Sequence, residues 1–131
     1  MTPNSSPAVL LVEDHPDNRD MYSLMLRSLG CSVIEAANGD EALAQASAHP
    51  PSIVVTDLRM PGTVTSLDVC RHFAAIGVPV IVVTGVTPGP EHDEIKGAGC
   101  AAVLVKPVTP DALVAEIHRV LELAERAPEG S

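Results

Sequence analysis

The sequence predicts an α/β fold, in which a parallel sheet of five strands is covered by helices on both faces. Three observations carry this. Short continuous apolar runs recur along the chain, segments with helical spacing separate them, and four of the five runs stop on a polar residue. A continuous apolar run is how a strand buried on both faces reads. Parallel neighbours need crossover connections, and the intervening helices supply them. With 131 residues, 46% of them hydrophobic, the chain can bury a core of its own as one domain.

Ala8 to Val12 is the first strand, cut off by Glu13-Asp14. Pro16 to Leu29 follows as a helix whose Met21, Leu24, Met25 and Leu29 share one face and are assigned to the core, with Gly30 as its stop. Cys31 to Ala36 reads as a strand, Asn38-Gly39 as a turn, and Asp40 to Ala48 as a helix halted by His49-Pro50-Pro51. Ile53-Val54-Val55 begins the third strand, which ends at Asp57. Ser66 is expected to cap a helix reaching about Ile76 that buries Leu67, Cys70 and Phe73. Val78 to Val83 is the fourth strand, ending at Thr84. Pro88, Gly89 and Pro90 delay the next helix to about Glu91, and Gly97 and Gly99 end it early. Ala102 to Val105 is the fifth strand, ending at Lys106-Pro107. Thr109 as cap and Pro110 at the first helical position open a final helix with Leu113, Val114, Ile117, Val120 and Leu121 at helical spacing. The expected domain is 8–124, between polar tails at 1–7 and 125–131.

Composition removes several function classes. Eight Lys plus Arg against seventeen Asp plus Glu give a formal net charge of -9. Nucleic acid and anionic membrane are therefore not expected as partners. One Phe, one Tyr and no Trp leave no aromatic platform for a flavin or a single strand. Cys31, Cys70 and Cys100 are too far apart for a CxxC metal site and are read as buried free thiols. His15 is read as an exposed loop residue, and His49, His72, His92 and His118 have no metal-ligand spacing. No leader pattern or bilayer-length apolar run is seen, so a cytoplasmic protein is expected; the Met start and short tail add the expectation of a complete small protein, and a monomer or weak homodimer is the expected state.

The chemistry gathers at the strand ends. In an open doubly wound sheet the carboxyl ends of the strands line the ligand crevice, at the point where the strand order reverses. Glu13, Asp14, Asp57, Thr84 and Lys106 should converge there. Three carboxylates so placed repel one another, by roughly 4 kcal/mol per pair at 4 Å and an effective dielectric near 20. Either a carboxyl takes up a proton or a hard divalent cation binds, and oxygen ligands with room for water suit Mg²⁺. A carboxylate beside Mg²⁺, an ammonium and a hydroxyl can accept a phosphoryl group.

Leu11-Val12-Glu13-Asp14, Val55-Thr56-Asp57-Leu58-Arg59-Met60-Pro61-Gly62, Val82-Val83-Thr84-Gly85 and Val105-Lys106-Pro107 together resemble the signature of the response-regulator receiver domain, the CheY-like module of two-component signalling. The resemblance covers roughly residues 8 to 124 in order and spacing. It implies a flavodoxin-like sheet of strand order 2-1-3-4-5. It also implies that Asp57 is the phospho-acceptor, that Asp14, Asp57 and the backbone carbonyl of Arg59 hold Mg²⁺, and that Glu13 assists indirectly. Thr84 would be the switch hydroxyl, Lys106 would pair with the phosphoryl group, and Lys106-Pro107 would be a cis peptide. The implied phosphodonor is a histidine kinase or a histidine phosphotransfer protein, the protein is a signalling acceptor and not an enzyme, and the downstream target is unspecified.

Departures from the family pattern accompany the matches. Val103 stands where receivers usually carry Tyr or Phe, so the aromatic rotamer switch is absent. The segment Met60 to Ser66 carries one extra residue and lacks the second glycine of the usual loop. Arg59 and Val86 occupy the positions that influence phosphoryl lifetime in the family, and together they suggest slow hydrolysis. Competing readings are a phosphorylation-independent interaction module, a fragment of a larger regulator or hybrid kinase, and an aspartyl-phosphate phosphatase. The phosphatase pattern places Asp-x-Asp after the first strand, whereas Asp57-Leu58-Arg59 follows the third.

Overall fold

The computed structural model describes residues 7–58, 64–85 and 90–126. Strands β1 (Ala8–Val12), β2 (Ser32–Ala36), β3 (Ile53–Asp57), β4 (Val80–Thr84) and β5 (Ala102–Val105) alternate with helices α1 (Pro16–Ser28), α2 (Gly39–Ala48), α3 (Ser66–Ala75), α4 (Pro90–Gly97) and α5 (Pro110–Arg126). The strands form one parallel sheet in the order β2-β1-β3-β4-β5. The chain leaves β1 in one direction to make β2 and returns past it to make β3, so the order reverses between β1 and β3.

Period-two alternation along each strand divides the core in two. Val9, Leu11, Ile53, Val55, Ile81 and Val83 face Leu26 of α1 and Leu113, Ile117 and Val120 of α5. Leu10, Val12, Val54, Val80 and Val82 face Ala42 of α2, Val69, Cys70 and Phe73 of α3 and Ile95 of α4. Both faces are thus covered, which is why the strands read as unbroken apolar runs. No helix among the described residues is long and apolar enough to cross a membrane.

The inward face of α1 differs from the one the spacing predicts. Met21, Leu24, Met25 and Leu29 are 48%, 68%, 41% and 40% exposed, while Ser23 and Leu26 are buried. Three anchors turn the helix. Arg19 and Arg27 reach Glu35 of β2 at 3.6 and 3.5 Å, and the Tyr22 hydroxyl donates to the Val108 carbonyl at 3.2 Å. The small Ser23 side chain then faces the interior beside Leu26, and the larger apolar stripe is left outside.

Smaller corrections follow from capping. Thr65, not Ser66, caps α3: its hydroxyl accepts from the Asp68 N–H at 3.1 Å while the Asp68 carboxylate accepts from the Thr65 N–H at 3.0 Å. Asn38 is a cap and not a turn residue, its Oδ1 accepting from the Glu41 N–H at 2.8 Å, so α2 begins at Gly39. The fourth strand begins at Val80, two residues later than expected, because Val78 and the donor-less Pro79 form its approach. Cys31 and Cys70 are buried, but Cys100 is only partly so. His15, His49, His72 and His118 are exposed, whereas the side chain of His92 lies outside the described residues.

Candidate acidic site at the carboxyl edge of the sheet

Register brings the strand-end residues together. Val12 pairs with Thr56 and Asp57 with Val83, which sets Glu13 beside Asp57 across the reversal point. Thr84 pairs with Val105, so Lys106 emerges next to Thr84, and its N–H donates to the Thr84 carbonyl at 2.7 Å. The peptide bond Lys106-Pro107 is cis.

Carboxylate oxygens of Glu13, Asp14 and Asp57 lie within 4.8 Å of one another. Lys106 Nζ stands 3.5 Å from Asp57 Oδ1, with the Asp57 side chain 15% exposed. Asp14 is exposed, Glu13 buried and Asp57 between them, so the cluster forms a shallow acidic cup. The Glu13 carboxyl is held above the ordinary range, first by burial and then by the charges of Asp57 and Asp14; the His15 N–H at 3.0 Å and Lys106 act in the opposite direction. A divalent cation would relieve that repulsion, and an all-oxygen donor set open to solvent fits Mg²⁺. Beneath the carboxylates a void of about 20 Å³ is lined by Glu13, Tyr22, Asp57, Lys106 and Leu113. That is room for about one water.

Thr84 is buried at the end of β4, and Val103 sits half-buried on β5 opposite Val82. The Arg59 carbonyl, Val86 and the 59–63 and 86–89 segments lie outside the described residues.

Three contributors were not assigned to this site from the sequence, although Ser66 was expected as a helix cap. Arg19 Nη1 donates to the Glu13 carbonyl at 2.9 Å. The Ser66 hydroxyl donates to the carbonyls of Asp57, at 3.1 Å, and Leu58, tying the start of α3 to the end of β3. Tyr22 joins α1 to the segment after Lys106 through Val108. Only Arg19 carried a signal: a cation in the first turn of a helix runs against the helix dipole, which points to an anchor elsewhere.

Comparisons with known proteins agree with this geometry. The family model described as the response regulator receiver domain matches residues 9–118. The DNA-binding response regulator MtrA of Mycolicibacterium smegmatis is 32% identical over 123 residues, covering 92% of this chain and 53% of that protein. The chain thus spans about half the length of that relative. Protein PilH of Pseudomonas aeruginosa is 31% identical, and the alignment covers 86% of this chain and 96% of PilH. Among solved structures, the chemotaxis response regulator CheY4 of Vibrio cholerae superposes with a TM-score of 0.80 at 30% identity, covering 88% of this chain and 98% of CheY4. Receiver domains are signalling proteins and not classical enzymes, and they interact with histidine kinases or phosphotransfer proteins. The chain belongs to the response regulator receiver domain family and has its CheY-like, flavodoxin-type fold.

Proposed function

We propose that this protein is a phosphorelay receiver, its domain spanning residues 8–124, that accepts a phosphoryl group on Asp57 from a phosphohistidine of a kinase or phosphotransfer protein. One observation carries the reading: three carboxylates with oxygens within 4.8 Å of one another, one of them facing Lys106 Nζ at 3.5 Å. Bound there, Mg²⁺ would offset the charge of the transferring group. Asp14 and Asp57, with the Arg59 carbonyl that the family resemblance adds, are the residues to hold it, and Glu13 supports them from its buried position.

The side chains divide the work. An Asp57 oxygen attacks phosphorus as the bond to the histidine nitrogen breaks, and no proton need leave the carboxylate. Lys106 then moves its ion pair from Asp57 to a phosphoryl oxygen. Thr84, buried at the neighbouring strand end, is the residue whose hydroxyl would report the new group. With Val103 in place of an aromatic ring, the readout falls to Thr84 and α4 more than to β5. Exposed Met21 borders this rim, where Asn18, Met21 and Tyr22 share an open groove with Lys106 and Pro107. Such a surface suits the donor protein, and the reduced thiols Cys31 and Cys70 suit the cytoplasm.

Intact-mass measurement after incubation with a small phosphodonor and Mg²⁺ tests the assignment. One phosphoryl adduct is expected, absent in Asp57→Asn; an adduct that persists in that variant overturns it. No adduct on the wild type would favour a phosphorylation-independent interaction module, the reading that Val103 supports.

A further inference from the structure

We propose that Arg19 is a positioning residue for cation binding, acting through the backbone carbonyl of Glu13; this rests on the receiver reading above. Its guanidinium bridges two elements. Nη1 donates to the Glu13 carbonyl at 2.9 Å and Nε faces Glu35 Oε1 of β2 at 3.6 Å, with the side chain 20% exposed. The Glu13 carbonyl belongs to the rigid peptide group that carries the Asp14 N–H, so its direction helps set where both carboxylates point. On its other side the Glu13 N–H donates to the Ala36 carbonyl at 3.0 Å. Residue Glu13 is therefore held by β2 through its N–H, and the peptide that joins it to Asp14 is held by α1 through its carbonyl.

The planar fork of an arginine can serve a carbonyl and a carboxylate at once, which the point charge of a lysine cannot reproduce. Arg27 supplies the internal comparison. It also approaches Glu35, at 3.5 Å, but its other contact is the Val33 carbonyl at 3.2 Å, away from the acids. Loss of Arg27 loosens α1 on β2 and leaves the Glu13 carbonyl held.

The test is calorimetric Mg²⁺ titration of the full chain, with thermal unfolding recorded without metal. Arg19→Gln should weaken Mg²⁺ binding about tenfold, in line with other residues that orient metal ligands. Arg19→Lys should weaken it as well, and Arg27→Gln should bind as the wild type does even if its unfolding midpoint falls. Wild-type affinity in Arg19→Gln overturns the inference, as does an equal loss in Arg27→Gln. If Arg19→Gln fails to fold, Glu35→Gln frees one arm of the bridge and should lower the affinity, and no change there is equally fatal. A wild-type chain that binds no Mg²⁺ overturns the inference and the metal site together, whereas wild-type binding with normal Arg19→Gln affinity sinks the inference alone.

Discussion

Leu24 and Leu26 are two residues apart on α1, with opposite fates: Leu24 is 68% exposed and Leu26 fully buried against β1, β3 and α5. Leu26→Ala should cost about 2–5 kcal/mol, the transfer energy of the lost methyls plus the cavity left behind. Leu24→Ala should stay within about 0.5 kcal/mol. Urea midpoints of the two variants check this, and a larger loss for Leu24→Ala would restore the face that spacing alone suggests. Within the site the same scale of reasoning holds. Glu13, Thr84 and Lys106 were legible because each follows an apolar run directly, and Asp14 and Asp57 because each comes one residue later, so the strand end announces the residue. Arg19 and Ser66 were not, because what they touch is backbone carbonyl, and any residue supplies one.

At the scale of elements, the start of α2 and the segment before α3 press on each other. A Cβ added at Gly39 would come within 2.5 Å of the Val64 carbonyl oxygen, whereas one at Gly97 would meet nothing within 4 Å. Gly39→Ala should therefore destabilise by about 1–3 kcal/mol through overpacking. Gly97→Ala should be neutral or add up to about 1 kcal/mol by restricting the unfolded chain. Thermal unfolding of both variants separates the effects. The cap of α3 gives a pH signature. Hydrogen bonds from Thr65 hold the Asp68 carboxyl below its ordinary value, so its contribution is present above the unfolded-state value near 3.8 and fades as pH falls through the lower folded-state value. Asp68→Asn should flatten the acid limb of the stability curve below about pH 4 and leave its neutral shape alone. Thr65→Ala should remove about 1 kcal/mol at neutral pH. An acid limb unchanged in Asp68→Asn would discount the capping box.

For the whole molecule, the acidic cup ties stability to ligand. The cluster of Glu13, Asp14 and Asp57 is self-repelling in the folded state, and a cation that binds only this state stabilises by mass action, by about 2.7 kcal/mol at a hundred times its dissociation constant. Mg²⁺ at tens of millimolar should raise the unfolding midpoint by several degrees in the wild type and by much less in Asp14→Ala. Equal shifts in the two would place the effect elsewhere on a chain of net charge -9.

The sequence alone determined the element order, the parallel sheet with helices on both faces, and the edge on which the polar strand ends converge. These are local signals: an unbroken apolar run cannot have a solvated face, and a parallel sheet leaves its carboxyl ends on one side. Strand order 2-1-3-4-5 came from family resemblance, and the register that sets Glu13 against Asp57 is visible only in the fold. Tertiary structure also decided which face of α1 turns inward. Periodicity defines a stripe of Met21, Leu24, Met25 and Leu29, but burial follows the fit of the helix onto β2 and α5, where Arg19, Arg27 and Tyr22 fix its rotation. The close approach of Gly39 to Val64 and the hold of Arg19 on the Glu13 carbonyl belong to the same class. They join residues distant in sequence or bond to main chain, so no spacing or composition encodes them, and only packing brings them about.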